Sequence, residues 1–195
     1  MKKEYGDIDV IHARSTSGKD DVIRREMGIL GRISGSHVHV STLKRDTRKE
    51  IKFDMAFLKM ATIWGLNSHS ARHKVGCLIV RDYSIISDGY NGTPSGFDNK
   101  CEKSDGETKW EVLHSEANAI TKLARSSQSS AGATLYTTFS PCKECAKLML
   151  QSGIVRLVYT KQHSDIDGLK MLAQAGIRIS QYFINEITDD EKNWK

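Results

Sequence analysis

Apolar residues recur at helical spacing from about Glu50 onward, where the segment IKFDMAFLKMATIWGL predicts a helix. Two β-branched runs, KVGCLIV and YSIISDGY, predict strands that are joined by a turn near Arg81 and Asp82. Helical periodicity returns in HSEANAITKLARSS, CKECAKLMLQSG and DGLKMLAQAG, and Gly153 ends the second of these helices. Three more segments predict strands: GATLYTTF, IVRLVYT and IRISQYF. This alternation predicts an α/β layered domain with a partly parallel sheet.

The first fifty residues follow the alternation less well. The stretch DIDVIHARSTSGKDDVIRREMGIL predicts a strand, a loop and a helix, and SHVHVST predicts an edge strand whose His37 and His39 face solvent. Ala13 to Asp20 resembles a phosphate-binding loop, but alanine replaces its first glycine and aspartate replaces its metal-binding hydroxyl residue. We therefore expect a polar turn there rather than a nucleotide site.

Composition limits the class of protein. A chain of 195 residues is long enough for one well-buried domain, and its four cysteines are few and unevenly spaced. We expect a reduced, cytoplasmic protein without a signal peptide or a membrane-spanning run, whose thiols are free or metal-bound. The net charge is +5, but basic residues are mixed with acids along the chain. This mixing argues against nucleic acid as a partner, and the same positive excess would also suit an anionic small molecule such as a nucleotide, but charge alone does not choose between them.

Metal-binding residue types concentrate at the predicted starts of two helices. His114 and Glu116 lie two positions apart in LHSEANAI, so on a helix flank their side chains would point to different sides. At a first turn, both side chains can reach over the helix end into one cavity. In SPCKEC, Pro141 suits the first helical position, and Cys142 and Cys145 are then three residues apart on one helix face.

The two motifs together predict a catalytic zinc site. His114, Cys142 and Cys145 are three ligands that leave the fourth tetrahedral position open for water, whereas a structural site would close with a fourth ligand. Glu116 is placed to move protons to and from that water. Either motif alone would be incidental in most proteins. An H-x-E followed about 28 residues later by P-C-x-x-C matches the zinc deaminase motif.

Around these motifs, the chain from roughly Phe53 to Ile184 resembles the cytidine deaminase superfamily, and within it the deoxycytidylate deaminases. Besides the zinc motifs, the resemblance rests on VGCLIV, GYNGTPSG, HSEANAI with Asn118, and QSGIVRLVY before a GL..L..AGI segment. It implies a three-layer cytidine-deaminase-like α/β fold with a central mixed five-stranded sheet and helices on both faces. We expect an N-terminal extension of unknown role (1–52), the deaminase domain (53–184) and a C-terminal tail (185–195).

The resemblance also implies an activity. It is the hydrolytic deamination of dCMP to dUMP and ammonia, in which a C–N bond of a cyclic amidine is broken. The reaction would use one catalytic Zn²⁺ and would supply dUMP for thymidylate synthesis. Glu116 would carry a proton from the zinc-activated water to N3 of the cytosine and then one to the leaving amine. Asn91 would hydrogen-bond the sugar or the base. The backbone around Ser140 and Pro141 would contact the base edge, with Phe139 near the pocket.

The substrate phosphate requires donors, and SARHKVG contains Arg72, His73 and Lys74. Arg72 corresponds to a basic position of the family, and we expect Arg72 and Lys74 to bind the phosphate. The alternative is a solvated basic turn. Arg125 also matches a family arginine, and it either serves regulation or an interface or places a favourable charge at a helix C-terminus.

Many family members form oligomers, often hexamers, and many are activated by dCTP and inhibited by dTTP with Mg²⁺. The resemblance therefore implies a homo-oligomer, with a hexamer favoured. It places an effector site at the glycine-rich loop from Gly89 to Gly96, with Gly89, Tyr90 and Gly92 as its candidate residues. The alternative for this loop is a tight turn that only shapes the pocket.

The sequence departs from the family pattern at several positions. The usual H-A-E is H-S-E here, and the small Ser115 is expected to be tolerated. Some members bind a second zinc through a cysteine before the first strand. Ser70 occupies that position here and Cys101 has no obvious partner, so we predict a single zinc. His163 stands where relatives often have tyrosine.

Two other functions compete with dCMP deamination. One keeps the chemistry and changes the substrate to dCTP, CMP or single-stranded nucleic acid, although the chain is only 7% aromatic and has no evident base-stacking cluster. The other is a non-catalytic, zinc-stabilised regulator with an inactive deaminase fold. The presence of Glu116 argues against the regulator, because only a catalytic site needs the proton shuttle.

Overall fold

The computed structural model describes residues 8–13, 24–29 and 48–182, with side chains from residue 49 onward. These residues form seven strands and four helices. In chain order they are β1 (Ile8–Ala13), β2 (Arg24–Ile29), α1 (Arg48–Gly65), β3 (Gly76–Arg81), β4 (Ser84–Tyr90), α2 (Ser115–Leu123), β5 (Thr134–Phe139), α3 (Lys143–Gln151), β6 (Arg156–Lys161), α4 (Asp167–Gln174) and β7 (Arg178–Tyr182). From α1 to β7, each predicted helix and strand is confirmed in type and order. The expected boundary between residues 52 and 53 falls inside α1.

The described strands form one sheet in the order β1-β2-β7-β6-β5-β3-β4. β3 pairs antiparallel with β4 and β5, whereas β5, β6 and β7 are parallel. The predicted mixed five-stranded sheet is therefore confirmed as β3 to β7. The described part of the N-terminal region extends it by two strands, because β2 pairs antiparallel with both β7 and β1.

The helix predicted before Gly31 is wrong, because Arg24–Ile29 is the strand β2. Its sequence, RREMGI, lacks the alternation of apolar and polar residues that is typical of a half-buried strand. Its backbone pairs with two neighbouring strands, so long-range pairing overrides the local preference. The predicted edge strand SHVHVST and the phosphate-loop-like residues after Ala13 lie outside the described residues.

The two faces of the sheet pack against different helices. Phe57, Leu58 and Ala61 of α1 contact a core on one face that includes Leu78 and Val80 of β3. The alternate residues of β3 face the opposite core, where residues of α2, α3 and α4 pack. Helices on both faces, as predicted, make a three-layer domain whose apolar residues are buried on either side of the sheet.

The β3–β4 connection is a tight hairpin turn. Asp82 and Tyr83 adopt positive φ angles of 51° and 61°, the conformation of a two-residue type I′ turn. The turn predicted near Arg81 and Asp82 is confirmed. Among the described helices, none is long and apolar enough to cross a membrane.

Candidate active site

Both sequence motifs lie at helix N-termini that face each other. His114 is the N-cap of α2, and Glu116 is the second residue of that helix. Cys142 is the N-cap of α3, and Cys145 is its third residue. Because unpaired backbone N–H groups point out of a helix N-terminus, this position favours anionic thiolate and carboxylate groups.

Pro141 does not take the first helical position that the sequence suggests. The helix begins two residues later, at Lys143. Cys142 has an extended backbone, with φ −69° and ψ 169°, and this conformation belongs to an N-cap rather than to a helical residue. The cysteine thiol, and not the proline, therefore stands at the helix end.

The three predicted ligands converge. His114 Nδ1 lies 3.5 Å from the Sγ atoms of both Cys142 and Cys145. All three ligand atoms lie within 4.8 Å of one another. A tetrahedral zinc ion with ordinary Zn–N and Zn–S bond lengths would hold nitrogen and sulfur about 3.6 Å apart. The donor set and its spacing therefore fit zinc. In the described part of the chain, this is the one group of histidine, cysteine and acidic side chains that can hold a metal ion.

The two thiols differ in acidity. Hydrogen bonds from Cys145 and then from His114 lower the pKa of Cys142 to about 3, which favours its thiolate. The Cys145 thiol donates to Cys142 and is also buried, and both effects raise its pKa. The hydrogen bond with Cys142 in turn raises the pKa of His114. One sulfur is thus prepared for a cation, and the charge of a bound cation favours the second thiolate.

Glu116 is the buried acid of the site, with 4% of its surface exposed. Burial raises the pKa of its carboxyl group above the ordinary value. Ser115, which is fully buried, donates its hydroxyl to Glu116 Oε2 at 3.0 Å. A carboxyl group of raised pKa that is held in a defined orientation can both accept and return a proton.

His114, Ser115, Glu116 and Cys142 line a cavity of about 230 Å³. The lining side chains come from five parts of the chain: Ser70, Arg72, His73, Val75, Asn91, Thr108, Val112, His114, Ser115, Glu116, Phe139, Ser140, Cys142 and His163. The cavity is bordered by the carboxyl ends of β5 and β6, where ligands commonly bind in α/β sheets.

The predicted substrate residues divide into two groups. Arg72, Asn91, Phe139 and Ser140 line the cavity. The lining does not include Lys74, whose ammonium group donates to the carbonyl of Leu66 at 3.3 Å. The neighbour Arg72 lines the cavity, and its guanidinium makes no hydrogen bond or ion pair with another described residue. Pro141 is buried behind the lining, and its carbonyl lies against Gly168.

Asn91 also fastens one wall of the cavity. Its Oδ1 accepts the N–H of Val75 at 2.8 Å, and its Nδ2 donates to the carbonyl of His73 at 2.8 Å. Ser68 donates to the backbone carbonyl of Asn91 at 2.7 Å. The segment that carries Arg72 is therefore tied to the end of β4, and one hydrogen of the Asn91 amide is left for a ligand.

The predicted effector residues lie outside the cavity lining. Gly89 is buried where β4 crosses α2, and a Cβ atom there would lie 2.2 Å from the carbonyl oxygen of Ser115. The Tyr90 carbonyl accepts the side-chain amide of Asn118 at 3.0 Å. Gly92 pairs with Leu113 through two backbone hydrogen bonds. Together these contacts hold the turn that leads into α2. Arg125 is exposed beyond the end of α2.

Sequence reasoning assigned no role to several lining residues. Thr108 and Val112 reach the cavity because isolated bridges pair Glu102 with Thr108 and Gly92 with Leu113. The periodicity of the sequence does not indicate either of these two bridges. His163 follows the end of β6, and its position after a parallel strand was the available signal.

Comparison with known proteins agrees with this geometry. Residues 51–161 match the model of a family described as the cytidine and deoxycytidylate deaminase zinc-binding region. The chain belongs to this family. The family assignment accounts for the clustered His114, Cys142 and Cys145, since the matched region is a zinc-binding one.

Several individual relatives are similar over most of the described residues. The deoxycytidylate deaminase of Saccharomyces cerevisiae is 34% identical over an alignment of 144 residues that covers 69% of this chain and 46% of the yeast protein. The deoxycytidylate deaminase of Mycobacterium phage D29 is 36% identical over an alignment of 124 residues that covers 56% of this chain and 95% of the phage protein. The crystal structure of dCMP deaminase from the cyanophage S-TIM5, in complex with dCMP and dUMP, superposes with a TM-score of 0.66 at 40% identity. It covers 70% of this chain and 99% of the cyanophage chain.

Proposed function

We propose that this protein is a zinc-dependent hydrolase that deaminates dCMP to dUMP and ammonia. The observation that carries the proposal is the convergence of His114, Cys142 and Cys145 at the wall of a cavity that the buried Glu116 also lines. The similarity to dCMP deaminases from yeast and from phages supports dCMP as the substrate.

Zinc held by His114, Cys142 and Cys145 would keep one coordination position open and would lower the pKa of a water molecule there toward neutrality. Glu116 accepts one proton from this water and delivers it to N3 of the cytosine as the oxygen bonds to C4. It then takes the second proton from the new hydroxyl group and gives it to the amino nitrogen. The C4–N4 bond breaks, ammonia leaves and C4 keeps the oxygen as a carbonyl, so all atoms of the water are accounted for.

Other lining residues position the nucleotide in this proposal. The free amide hydrogen of Asn91 donates to the sugar or the base, and the buried segment at Ser140 lies along the base edge with Phe139 beside it. Arg72 binds the phosphate, because it lines the cavity and its guanidinium forms no salt bridge within 4 Å to another described residue. Lys74 is left out of the phosphate site, since its ammonium group is directed to Leu66.

The test is deamination by the purified, zinc-loaded protein. The ultraviolet absorbance change is compared for dCMP, dCTP, CMP and deoxycytidine, with the Glu116→Gln variant as control. We expect dCMP to be preferred and the control to lose on the order of 10²- to 10⁴-fold in kcat while it keeps its zinc. If dCTP, CMP or a single-stranded oligonucleotide is turned over faster than dCMP, that compound replaces dCMP as the proposed substrate. Absence of turnover with every substrate, also after addition of dCTP and Mg²⁺, would contradict the enzyme proposal.

We also propose that the protein works as a homo-oligomer, with a hexamer favoured, in the cytoplasm. Exposed apolar side chains on one helix support an interface, since Met60, Ile63 and Trp64 of α1 are each at least 39% exposed. The proposed effectors are dCTP as activator and dTTP with Mg²⁺ as inhibitor. Light scattering coupled to size exclusion measures the oligomer, and initial rates with each effector measure the regulation.

A further inference from the structure

His163 has a defined position at the cavity wall. It follows β6 and its backbone N–H donates to the hydroxyl oxygen of Ser140 at 2.8 Å. The backbone N–H of Ser140 in turn donates to the carbonyl of Lys161 at 2.8 Å. The turn after β5, which leads to the Cys142 ligand, is thus joined to the turn after β6 that carries His163.

The hydrogen bonds also define what the His163 ring can do. The backbone N–H of Asp165 lies 3.1 Å from Nδ1 of His163. Because a backbone N–H can only donate, Nδ1 must accept, and the neutral ring then carries its hydrogen on Nε2. His163 lines the cavity, and with Nδ1 engaged by Asp165 its neutral side chain can offer the site an N–H donor at Nε2 and no acceptor.

Charge within the cavity favours an anion at this wall. Glu116 is the one acidic residue of the lining, and it is committed to the proton transfers. Besides the predicted zinc ligand His114, the lining residues with cationic or ring N–H groups are Arg72, His73 and His163. His73 packs against Phe139, with ring centroids 5.2 Å apart, and Phe139 directly precedes the Ser140 that holds His163. The wall from His73 to His163 is therefore continuous through Phe139 and Ser140.

We propose that His163 is a specificity residue that donates Nε2–H to the 5′-phosphate of the substrate and so favours the nucleoside monophosphate over the nucleoside. This inference rests on the proposed deaminase function. The zinc ligands and Glu116 occupy the end of the cavity that reacts with the base, so phosphate recognition falls to the remaining donors. A hydrogen bond to a doubly charged phosphate is a strong one, because its acceptor is ionised.

Two substitutions separate this role from a structural one. In His163→Asn, the amide oxygen can still accept the N–H of Asp165, but no donor reaches as far as Nε2. In His163→Gln, the amide nitrogen can take the place of Nε2 and keep a donor. His69→Asn is the matched control, since His69 is exposed and absent from the cavity lining. Zinc content and Tm verify that each variant is folded.

The readout is kcat/KM for dCMP and for deoxycytidine. We expect His163→Asn to lower kcat/KM for dCMP roughly 10- to 100-fold, mostly through KM, and to leave deoxycytidine turnover unchanged. His163→Gln should recover part of the loss, and the control should match the wild type. If deoxycytidine is turned over too slowly to measure, dUMP and deoxyuridine are used as competitive inhibitors of dCMP deamination. Their inhibition constants then compare the binding of the monophosphate with that of the nucleoside.

Two results would overturn the inference. If His163→Asn matches the wild type on dCMP, the ring serves only the turn at Asp165. If kcat/KM of the variant falls equally for dCMP and for deoxycytidine, His163 contacts the sugar or the base and not the phosphate. Failure of the deaminase proposal is distinct, because then the wild-type protein itself would not turn over dCMP.

Discussion

The hydroxyl of Ser70 donates to Oε1 of Glu102 at 2.7 Å. The same oxygen accepts the backbone N–H groups of Ala71 at 3.0 Å and Arg72 at 3.4 Å. One carboxylate thus organises the turn that brings Arg72 to the cavity. These hydrogen bonds, with that of Ser70 the largest, hold the pKa of Glu102 below its ordinary value.

Replacing Glu102 by Gln should loosen this turn. We expect KM for dCMP to rise on the order of tenfold, because misplacement of a binding group weakens substrate positioning. The control is Glu107→Gln, which removes only an exposed ion pair with Lys103. An unchanged KM in Glu102→Gln would show that the turn keeps its geometry without the carboxylate.

The hydrogen bond between Ser70 and Glu102 also predicts that the stability of the protein depends on pH. Because the pKa of Glu102 is lower in the folded protein, its ionised form stabilises the fold at neutral pH, and this contribution is lost as pH falls through the lowered pKa. The Tm difference between the wild type and Glu102→Gln should therefore be present at neutral pH and shrink below the ordinary carboxyl pKa of 4.5. A difference that stays constant with pH would argue against the carboxylate as its source.

Gly89 and Gly92 should differ sharply in their tolerance of a side chain. A Cβ atom at Gly89 would lie 2.2 Å from the Ser115 carbonyl oxygen and 2.8 Å from the Ala119 nitrogen, so Gly89→Ala must displace α2. We expect a loss of at least about 2 kcal/mol in the free energy of unfolding, and a loss of activity, because α2 carries Glu116. At Gly92 the nearest atom is a Tyr90 ring carbon at 3.8 Å. Gly92→Ala should therefore retain both its stability and its activity. Urea unfolding and dCMP deamination assays on the two variants measure the difference.

Ser115→Ala tests the hydroxyl that orients Glu116. The variant loses one hydrogen bond to the carboxyl group of Glu116, the proposed proton carrier, so kcat should fall about five- to tenfold while KM and zinc content stay unchanged. Steady-state kinetics with metal analysis measures the effect. A change in KM with constant kcat would assign Ser115 to substrate binding instead.

The buried ion pair between Asp54 and Arg156 should matter for stability and not for chemistry. Two N–O contacts of 2.7 and 2.6 Å join them, and the hydroxyl of Tyr136 donates to Asp54 at 2.7 Å. Asp54→Asn removes the negative charge that lies against the buried guanidinium of Arg156, and breaking this buried ion pair should cost about 3–5 kcal/mol in the free energy of unfolding. The pair lies on the α1 face, so the folded variant should keep its kcat. Glu107→Gln, which removes an exposed pair, should cost less than about 1 kcal/mol.

Metal removal distinguishes a catalytic site from a structural one. Chelation should abolish activity and lower Tm, because a ligand that binds only the folded state stabilises it. The far-ultraviolet circular dichroism at room temperature should persist, since α2 and α3 are held by their own apolar core. Readdition of Zn²⁺ should restore activity. Unfolding on chelation would instead identify a structural zinc site.

Local patterns predicted most of the elements that surround the site. Apolar residues recur at regular spacing in α1 and in β3 to β7, because each of these elements buries one or two of its faces. The H-x-E and P-C-x-x-C motifs were sufficient to predict the metal cluster, because the spacing of ligands at two helix starts is a local property. The strand β2 was not predicted, since its partners are the distant β1 and β7.

The sequence by itself determined the layered α/β order, the three metal ligands and the acid beside them. Only the tertiary structure decided which polar residues share their cavity. Arg72 and Lys74 are two positions apart in one basic turn, yet only Arg72 lines the cavity, because the backbone of this turn is held by Glu102 and Asn91. His163 joins the lining because parallel pairing places the end of β6 beside the end of β5. Such proximity depends on contacts between distant segments, and composition and periodicity carry no record of them.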